Sequence, residues 1–566
     1  MSQEGIARTD GDLMQGDGPD ALITRGFLRG AGISEEMVRR RPVIGIANTW
    51  SELNPCNGDL RELAEHVKTG VIEAGGLPLE FPTISLAEAF IRPSSMYLRN
   101  LLAMDTEEMI SASPIDGVVL LGGCDKTLPA QLMGAASAGK PAIALAAGPR
   151  PVSQWRGEPM TVEELWPLID ERRSGRMDDA EWNQLEACLS CGAGTCNVMG
   201  TAVSMAVVAE VMGMSLPGSA LLAAGTSERD DAARSTGALA VRLVQQGLVP
   251  SQLMTPGALR NAFAVMCAVG GSTNTLLHLQ AIAGRLSGSI EVDDLRAISA
   301  RTPLIADVKP SGSGMLADLR ADGGVAAVVE RLGDLFELDA LAADGRTWRE
   351  VVAESPAPGS SVLRTREEPA GAMGALSILS GTLAPGGALL KRSAATESLC
   401  RHRGRAVVFE GVADLHARID DPQLPIDEDT VLVLRGAGPI GGPGMPEVGH
   451  LPIPRRLLAR GVTDMVRLSD ARMSGTARGT AILHVTPESA AGGPLSLVRD
   501  GDWIELDADA LTLDLMVDRD ELASRASSGP SLPKVTRGFE LLHRRHVTQA
   551  DRGCDFDFLR ADHDAG

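Results

Sequence analysis

Short apolar runs alternate with longer amphipathic stretches through the first third of the chain. Val43–Ala47 (VIGIA) reads as a buried strand, and Leu60–Ala74 follows with apolar residues at helical spacing. Leu79–Ser85 predicts the next strand. Gly117–Leu121 (GVVLL) is a continuous apolar run, Thr127–Gly139 predicts a helix, and Pro141–Ala147 predicts another strand. Strand, helix and strand in this rhythm imply a parallel sheet with helices on both faces, because parallel neighbours need a crossover that covers the sheet. Asn197–Met214 predicts a helix rich in small residues (Gly200, Ala202, Ser204, Ala206), suited to close packing. The rhythm changes past residue 370. Loop-rich stretches at Pro369-Ala-Gly-Ala-Met-Gly and Ala384-Pro-Gly-Gly precede Arg405–Gly411, Thr430–Arg435, Asp464–Ser469, Ala481–Thr486 and Trp503–Val517. These predict strands without regular helices between them, the last with partial period-2 alternation. The expected architecture is α/β: a parallel-sheet domain over 1–372 and a smaller, mostly β, barrel-like or sandwich C-terminal domain over 373–566.

Composition narrows the function. At about 150 residues per domain, 566 residues suit two to four domains with ample core. With 44% apolar and 22% charged residues the chain reads as an ordinary folded protein. A net charge of −21 disfavours nucleic acid and anionic membranes, which need basic surface. Aromatic residues at 3% leave little for base stacking. The acidic start MSQEGIARTDGDLMQGDGPD lacks the apolar core of a signal peptide. Apolar runs such as Ala142–Ala147 fall far short of the roughly 18 residues that a spanning helix needs. Eight cysteines without a secretion signal read as reduced thiols or metal ligands. A cytoplasmic protein with a small-molecule substrate is expected.

Candidate chemistry gathers at strand ends. Cys124-Asp125-Lys126 follows the strand Gly117–Leu121 and the pair Gly122-Gly123, where open α/β sheets bind ligands. A thiol, a carboxylate and an amine are costly to bury there without function, although an exposed loop with a free cysteine is the plain alternative. Cys56, in the turn Asn54-Pro-Cys-Asn-Gly, and Glu88, in Ser85-Leu-Ala-Glu, fall at the same sheet edge. Together they look like a metal site; singly, each reads as a small buried hydrophobe or a solvated charge. Cys188-Leu-Ser-Cys191-Gly-Ala-Gly-Thr-Cys196 is the densest cysteine cluster, open to zinc, redox or iron–sulfur readings. Cys196 precedes the helix expected from Asn197, whose N-terminus would favour a thiolate, while Cys188 and Cys191 also read as bystanders. Gly436-Ala-Gly438-Pro-Ile-Gly441 matches GxGxxG, but Pro439, Pro443 and Pro446 prevent the helix that a dinucleotide site requires; the loop instead presents Glu447. Ser469-Asp-Ala-Arg-Met-Ser474-Gly-Thr-Ala-Arg-Gly479 is a polar loop that either places a hydroxyl at a site or is an ordinary turn. The pair His543-Arg-Arg-His546 reads as a solvated basic face.

With these motifs assembled, the chain resembles the dihydroxy-acid dehydratase / phosphogluconate dehydratase family over nearly its whole length. The resemblance rests on GGCDKTLPAQLMGAASAGKPAI (122–143), CGAGTCNVMGTAVSM (191–205), GGSTNTLLHLQAIA (270–283), GGPGMPEVG (441–449) and RMSGTARG (472–479). YLRNLLAMDTEEMI (97–110), QWRGEP (154–159) and QADRGCDFDFL (549–559) look more like the sugar-acid (aldonate) dehydratases than the branched-chain biosynthetic branch. The resemblance implies a 2Fe–2S cluster on Cys56, Cys124 and Cys196, and a Mg²⁺ ion on Glu88, Asp125, Glu447 and a carbamylated Lys126. It implies a Ser474 base with Thr476 beside it, and Thr201, Ser272, Thr273 and Asn274 near the substrate. It implies a homodimer or homotetramer. The reaction so implied is the dehydration of a 2,3-dihydroxy sugar acid to a 2-keto-3-deoxy acid. The alternatives are a dihydroxy-acid dehydratase acting on 2,3-dihydroxyisovalerate, a thiol or electron-transfer protein using Cys188 and Cys191, and a sugar-acid-binding regulator.

Overall fold

The computed structural model describes residues 12–40, 42–286, 290–525, 532 and 534–561, so the reading of residues 1–11 lies outside the described residues. The first sheet contains β1 (Val43–Asn48), β2 (Leu77–Pro82), β3 (Gly117–Gly122) and β4 (Ala142–Ala146), all parallel in the order β2-β1-β3-β4. β1, β3 and β4 are buried from end to end, which explains their continuous apolar runs. The second strand lies at Leu77–Pro82 rather than 79–85, because its register is set by pairing Val43 with Leu77.

Crossovers are made by α1 (Leu60–Glu73), α2 (Arg99–Ala112) and α3 (Thr127–Ala138). Next come α4 (Thr201–Val211), α5 (Ser227–Gln246), α6 (Pro256–Ala268) and α7 (Asn274–Arg285). α1 and α5 cover one face of the sheet and share its core through Val67, Leu239 and Leu243. Their backbones touch: a Cβ on Gly70 would collide with Arg234 O, and one on Gly237 with Val67 O. α2 and α3 cover the other face with Leu102, Leu128 and Met133. Every residue of α4 is buried, which accounts for a sequence that is apolar or small all round except at Glu210, whose carboxylate accepts from Gly218 N and Ala220 N. α4 begins at Thr201, not at Asn197, so Cys196 is not at a helix N-terminus.

The C-terminal sheet has eight strands: β5 (Ser377–Leu379), β6 (Gly387–Leu390), β7 (Arg401–Glu410), β8 (Val431–Arg435), β9 (Arg467–Ser469), β10 (Ala481–Thr486), β11 (Trp503–Asp507) and β12 (Thr512–Leu515). The order is β12-β11-β7-β8-β9-β10-β6-β5, and the two edges meet where Ser380 bridges Thr512. Ser380 N donates to Leu511 O at 3.0 Å and Leu513 N to Ser380 O at 2.9 Å, giving the barrel-like closure. The expectation of no regular helix here needs correction. β7, β8, β9 and β10 pair in parallel, and a parallel pair requires a crossover; α8 (Gly411–Arg418) supplies it between β7 and β8. Trp503–Val517 is two strands, because Asp507 Oδ1 accepts from Asp509 N and Ala510 N and turns the chain. The His543 pair is not a solvated face either. His543, on α9 (Gly538–His546), is buried among Tyr97, Phe539 and Phe556, and Asp557 takes His546. Among the described residues no helix is long and apolar enough to cross a membrane.

Candidate active site

The C-terminal ends of parallel strands from both sheets supply the site. Cys56 lies in the turn Pro55–Asn57 after β1, Glu88 in the loop after β2, and Cys124, Asp125 and Lys126 directly after β3. Glu447 comes from the loop after β8, and Arg472, Ser474 and Thr476 from the loop after β9. The loop after β8 is a cradle for Glu447 rather than for phosphate. Its amides at Ile440 and Gly441 donate to Glu488 and those at Gly436 and Ala437 to Asp470, leaving none of these four for an anion.

Lys126 is fully buried and has carboxylates on three sides: Glu447 Oε1 at 3.1 Å, Asp125 Oδ2 at 3.3 Å and Glu88 Oε2 at 3.4 Å. Burial and Arg472 act against its charge, but the three carboxylates outweigh them and raise Lys126 to about 12. Burial likewise pushes Glu88 up, yet Lys126, Arg472 and the hydroxyls of Ser95 and Ser94 prevail and bring it to about 2. Glu447 is raised instead, by burial and by Glu88 and Asp125 beside it. Arg472 reaches Glu447 Oε1 at 2.8 Å and Ser94 Oγ at 2.7 Å.

Beside this cluster lie Cys56, Cys124 and Cys196, near enough that Cys124 and Cys196 act on Cys56, and Cys124 on Cys196. Cys124 beside it and burial push Cys56 well above the usual thiol range, and burial pushes Cys196 up to about 12. The thiolate-favouring helix end expected at Cys196 is absent, and burial acts the other way. Cys124 holds φ at +59°, a left-handed conformation that a non-glycine residue adopts at some cost. Arg150 places Nη2 3.5 Å from Cys56 Sγ and grips Gly194 O and Thr195 O. Cys188 is half-buried, and Cys191 is exposed with its thiol on Pro151 O at 3.4 Å.

Of the remaining expected residues, Thr201, Ser272 and Asn274 form one network. Thr201 and Ser272 hydroxyls meet at 2.8 Å. Asn274 Nδ2 donates to Thr201 Oγ1 at 3.0 Å, to Glu447 Oε1 at 3.1 Å and to Met473 O at 3.3 Å, so it ties the carboxylate cluster to the Ser474 loop. Asn274 Oδ1, Thr273 Oγ1 and Arg472 Nε are buried without protein partners, an arrangement suited to a polar ligand. Ser474 Oγ lies 2.9 Å from Thr476 Oγ1. Sequence reading passed over Arg472, Ser94, Ser95, Arg150 and Trp166. Arg472 stands inside the RMSG stretch, but nothing in a sequence separates a buried arginine from a solvated one.

Among the described residues no three His, Cys, Asp or Glu side chains stand ready-made around one metal-sized point, and the Lys126 ammonium stands among the carboxylates. Family models decide the assignment: the dihydroxy-acid/6-phosphogluconate dehydratase N-terminal model matches residues 41–351 and the corresponding C-terminal model residues 361–554. The chain belongs to this dehydratase family. It is therefore a hydro-lyase. An L-arabonate dehydratase of Azospirillum brasilense is 47% identical over 95% of this chain and 94% of its own. A 6-deoxy-6-sulfo-D-gluconate dehydratase of Pseudomonas putida is 44% identical over 96% and 94%. A dihydroxy-acid dehydratase of Koribacter versatilis is 36% identical over 95% and 94%. Within the dehydratase family the chain thus stands nearer to these sugar-acid enzymes than to that dihydroxy-acid enzyme.

Proposed function

We propose that this dehydratase converts a 2,3-dihydroxy sugar acid (an aldonate) into a 2-keto-3-deoxy acid, with a 2Fe–2S cluster and Mg²⁺ as cofactors. The carrying observation is the fully buried Lys126 among Glu88, Asp125 and Glu447, with Cys124 two residues away, in a chain 44–47% identical to dehydratases named for sugar acids. The donor set fits both groups. Cys56, Cys124 and Cys196 would hold the cluster, and Glu88, Asp125, Glu447 and a carbamylated Lys126 the Mg²⁺. The electrostatics tolerate the exchange. Carbamylation (R–NH₃⁺ + CO₂ → R–NH–COO⁻ + 2H⁺) turns one positive charge into one negative, and a divalent cation then restores the original total. When bound, these groups supply Lewis acidity for the departing 3-hydroxyl and a counter-charge for the carboxylate and the enolate-like oxygen.

The chain's own residues do the rest. Ser474 Oγ, as its alkoxide, takes the C2 proton while the 3-hydroxyl leaves as hydroxide; the proton held on Ser474 then joins that hydroxide as water and restores the alkoxide, and the enol tautomerises to the keto acid. Ser474 accepts from Thr476 N at 3.3 Å, which helps it carry negative charge. Asn274 and Arg472 fix the loop that carries Ser474 relative to Glu447. The reading carries with it a site between units 1–372 and 373–566, and a cytoplasmic homodimer or homotetramer. All eight cysteines are free, as a reducing compartment would keep them.

The test is 2-keto-acid formation by anaerobically purified protein with Mg²⁺ on pentonates, hexonates and 2,3-dihydroxyisovalerate. Turnover concentrated on the sugar acids is expected. Turnover mainly on dihydroxyisovalerate would move the protein to the branched-chain reaction. Full turnover by Ser474→Ala with cluster iron and sulfide intact would remove Ser474 as base.

A further inference from the structure

Trp166 stands outside every motif quoted above, yet it ends a directed hydrogen-bond chain at Ser474. Its indole Nε1 lies 2.9 Å from Thr476 Oγ1, and Thr476 Oγ1 lies 2.9 Å from Ser474 Oγ. Geometry alone leaves open which hydroxyl donates in the second bond. The indole weighs on it, because Trp has a donor and no acceptor, so its N–H fills one of the two acceptor positions of Thr476 Oγ1. The Thr476 amide already donates to Ser474 Oγ at 3.3 Å. With the Thr476 proton also pointed at Ser474 Oγ, that oxygen receives two donors and its own hydrogen points away from Thr476.

We propose that Trp166 is a positioning residue that, through Thr476, fixes Ser474 as a hydrogen-bond acceptor poised to take a proton. The proposal rests on the reading of Ser474 as the base. A chain of donors aimed at one oxygen favours the anion of that oxygen over its neutral form. The surroundings hold the indole in this role. Trp166 packs on the buried Met473, Ala477, Ala481 and Leu483 and lies 5.6 Å from the His450 ring. It also lines a cavity of about 630 Å³ with Glu163, Ser311, Ser393 and Arg478, which neither Ser474 nor Thr476 lines. The donor that the Thr476 hydroxyl meets from this side chain is the indole N–H.

The experiment is steady-state kinetics of the cluster-loaded Trp166→Phe enzyme on its best sugar acid, with wild type and Ser474→Ala alongside. Phe keeps an aromatic ring in the wall and removes the N–H. The expected result is a fall in kcat of about tenfold with KM within twofold, since the lost interaction matters when the proton moves. A second variant carries benzothienylalanine at position 166, where sulfur replaces the N–H in a ring of the same shape. It should reproduce the fall even if Trp166→Phe folds poorly. A kcat within twofold of wild type in the benzothienyl enzyme, or a change confined to KM, overturns the proposal. An inactive Ser474→Ala beside an unaffected benzothienyl enzyme sinks this inference alone. An active Ser474→Ala sinks the base reading and this inference with it.

Discussion

Replacing Gly475 by alanine tests whether the Ser474 loop must sit where it does. The backbone of Gly475 lies outside the left-handed region, so alanine meets no conformational penalty and the effect is steric. Its Cβ would stand 2.6 Å from Ser272 Oγ, 2.7 Å from Thr201 N and 2.8 Å from Thr201 Oγ1. Ordinary contact begins near 3.4 Å. Ser272 can rotate its hydroxyl away, but the Thr201 amide belongs to the start of a wholly buried helix and cannot yield. The loop must therefore retreat by about 0.7 Å, carrying Ser474 and Thr476 with it. A displacement approaching 1 Å costs on the order of 100-fold in a reaction that depends on a near-attack geometry. Overpacking of this kind also costs about 1–3 kcal/mol of stability. The assay is keto-acid formation by Gly475→Ala under anaerobic conditions, with iron content and thermal unfolding measured on the same sample. A kcat reduced about 100-fold with iron retained is expected, and adding Ser272→Ala should not rescue it, because the Thr201 amide remains. A variant within threefold of wild-type kcat would refute the claim that the loop position is fixed by this contact.

Other expectations follow from buried charges and bystander thiols. Lys391 is fully buried with no partner at Nζ, and burial, helped by Arg478 and opposed by Glu163, brings it down to about 7. Between pH 7 and about 10.5 the unfolded chain holds this proton and the folded one does not, so stability rises with pH across that window and the cost, at most about 5 kcal/mol, is complete below it. Lys391→Met should therefore stabilise the fold in urea at pH 7 and lose most of that advantage by pH 10; equal gains at both values would contradict the assignment. Replacing Cys188 and Cys191 together by serine should leave turnover and iron content unchanged, because Cys191 is exposed and bonded only to Pro151 O. Loss of activity in that double variant would favour a dithiol reaction.

The legibility of the site was uneven for identifiable reasons. Buried parallel strands announce themselves as apolar runs, so the positions just past Gly122 and Ser469 could be marked as strand ends, and Cys124 and Ser474 fall there. Lys126 could be singled out by its neighbours but not by its state, which depends on Glu88 and Glu447 arriving from distant loops. Cys196 shows the limit. A helix starting at Asn197 would have favoured a thiolate, whereas the helix starts at Thr201 and burial has the opposite effect. His543 shows another, since Arg544 and Arg545 suggest a wet surface while the aromatic neighbours that bury His543 are Phe556, beyond the end of its helix, and Tyr97, far away in the chain.

By itself the sequence determined the alternation of strands and helices, the loops that carry reactive side chains, and the family those motifs match. These are local properties: period, turn chemistry and spacing within a few residues. The tertiary structure alone decided that the C-terminal sheet is half parallel and closed by Ser380 on Thr512, that Arg472 and Arg150 face the site, and that Trp166 donates to a hydroxyl 310 residues away. Such facts arise from contacts between segments distant in the chain, where burial and charge sum over neighbours that no single stretch contains.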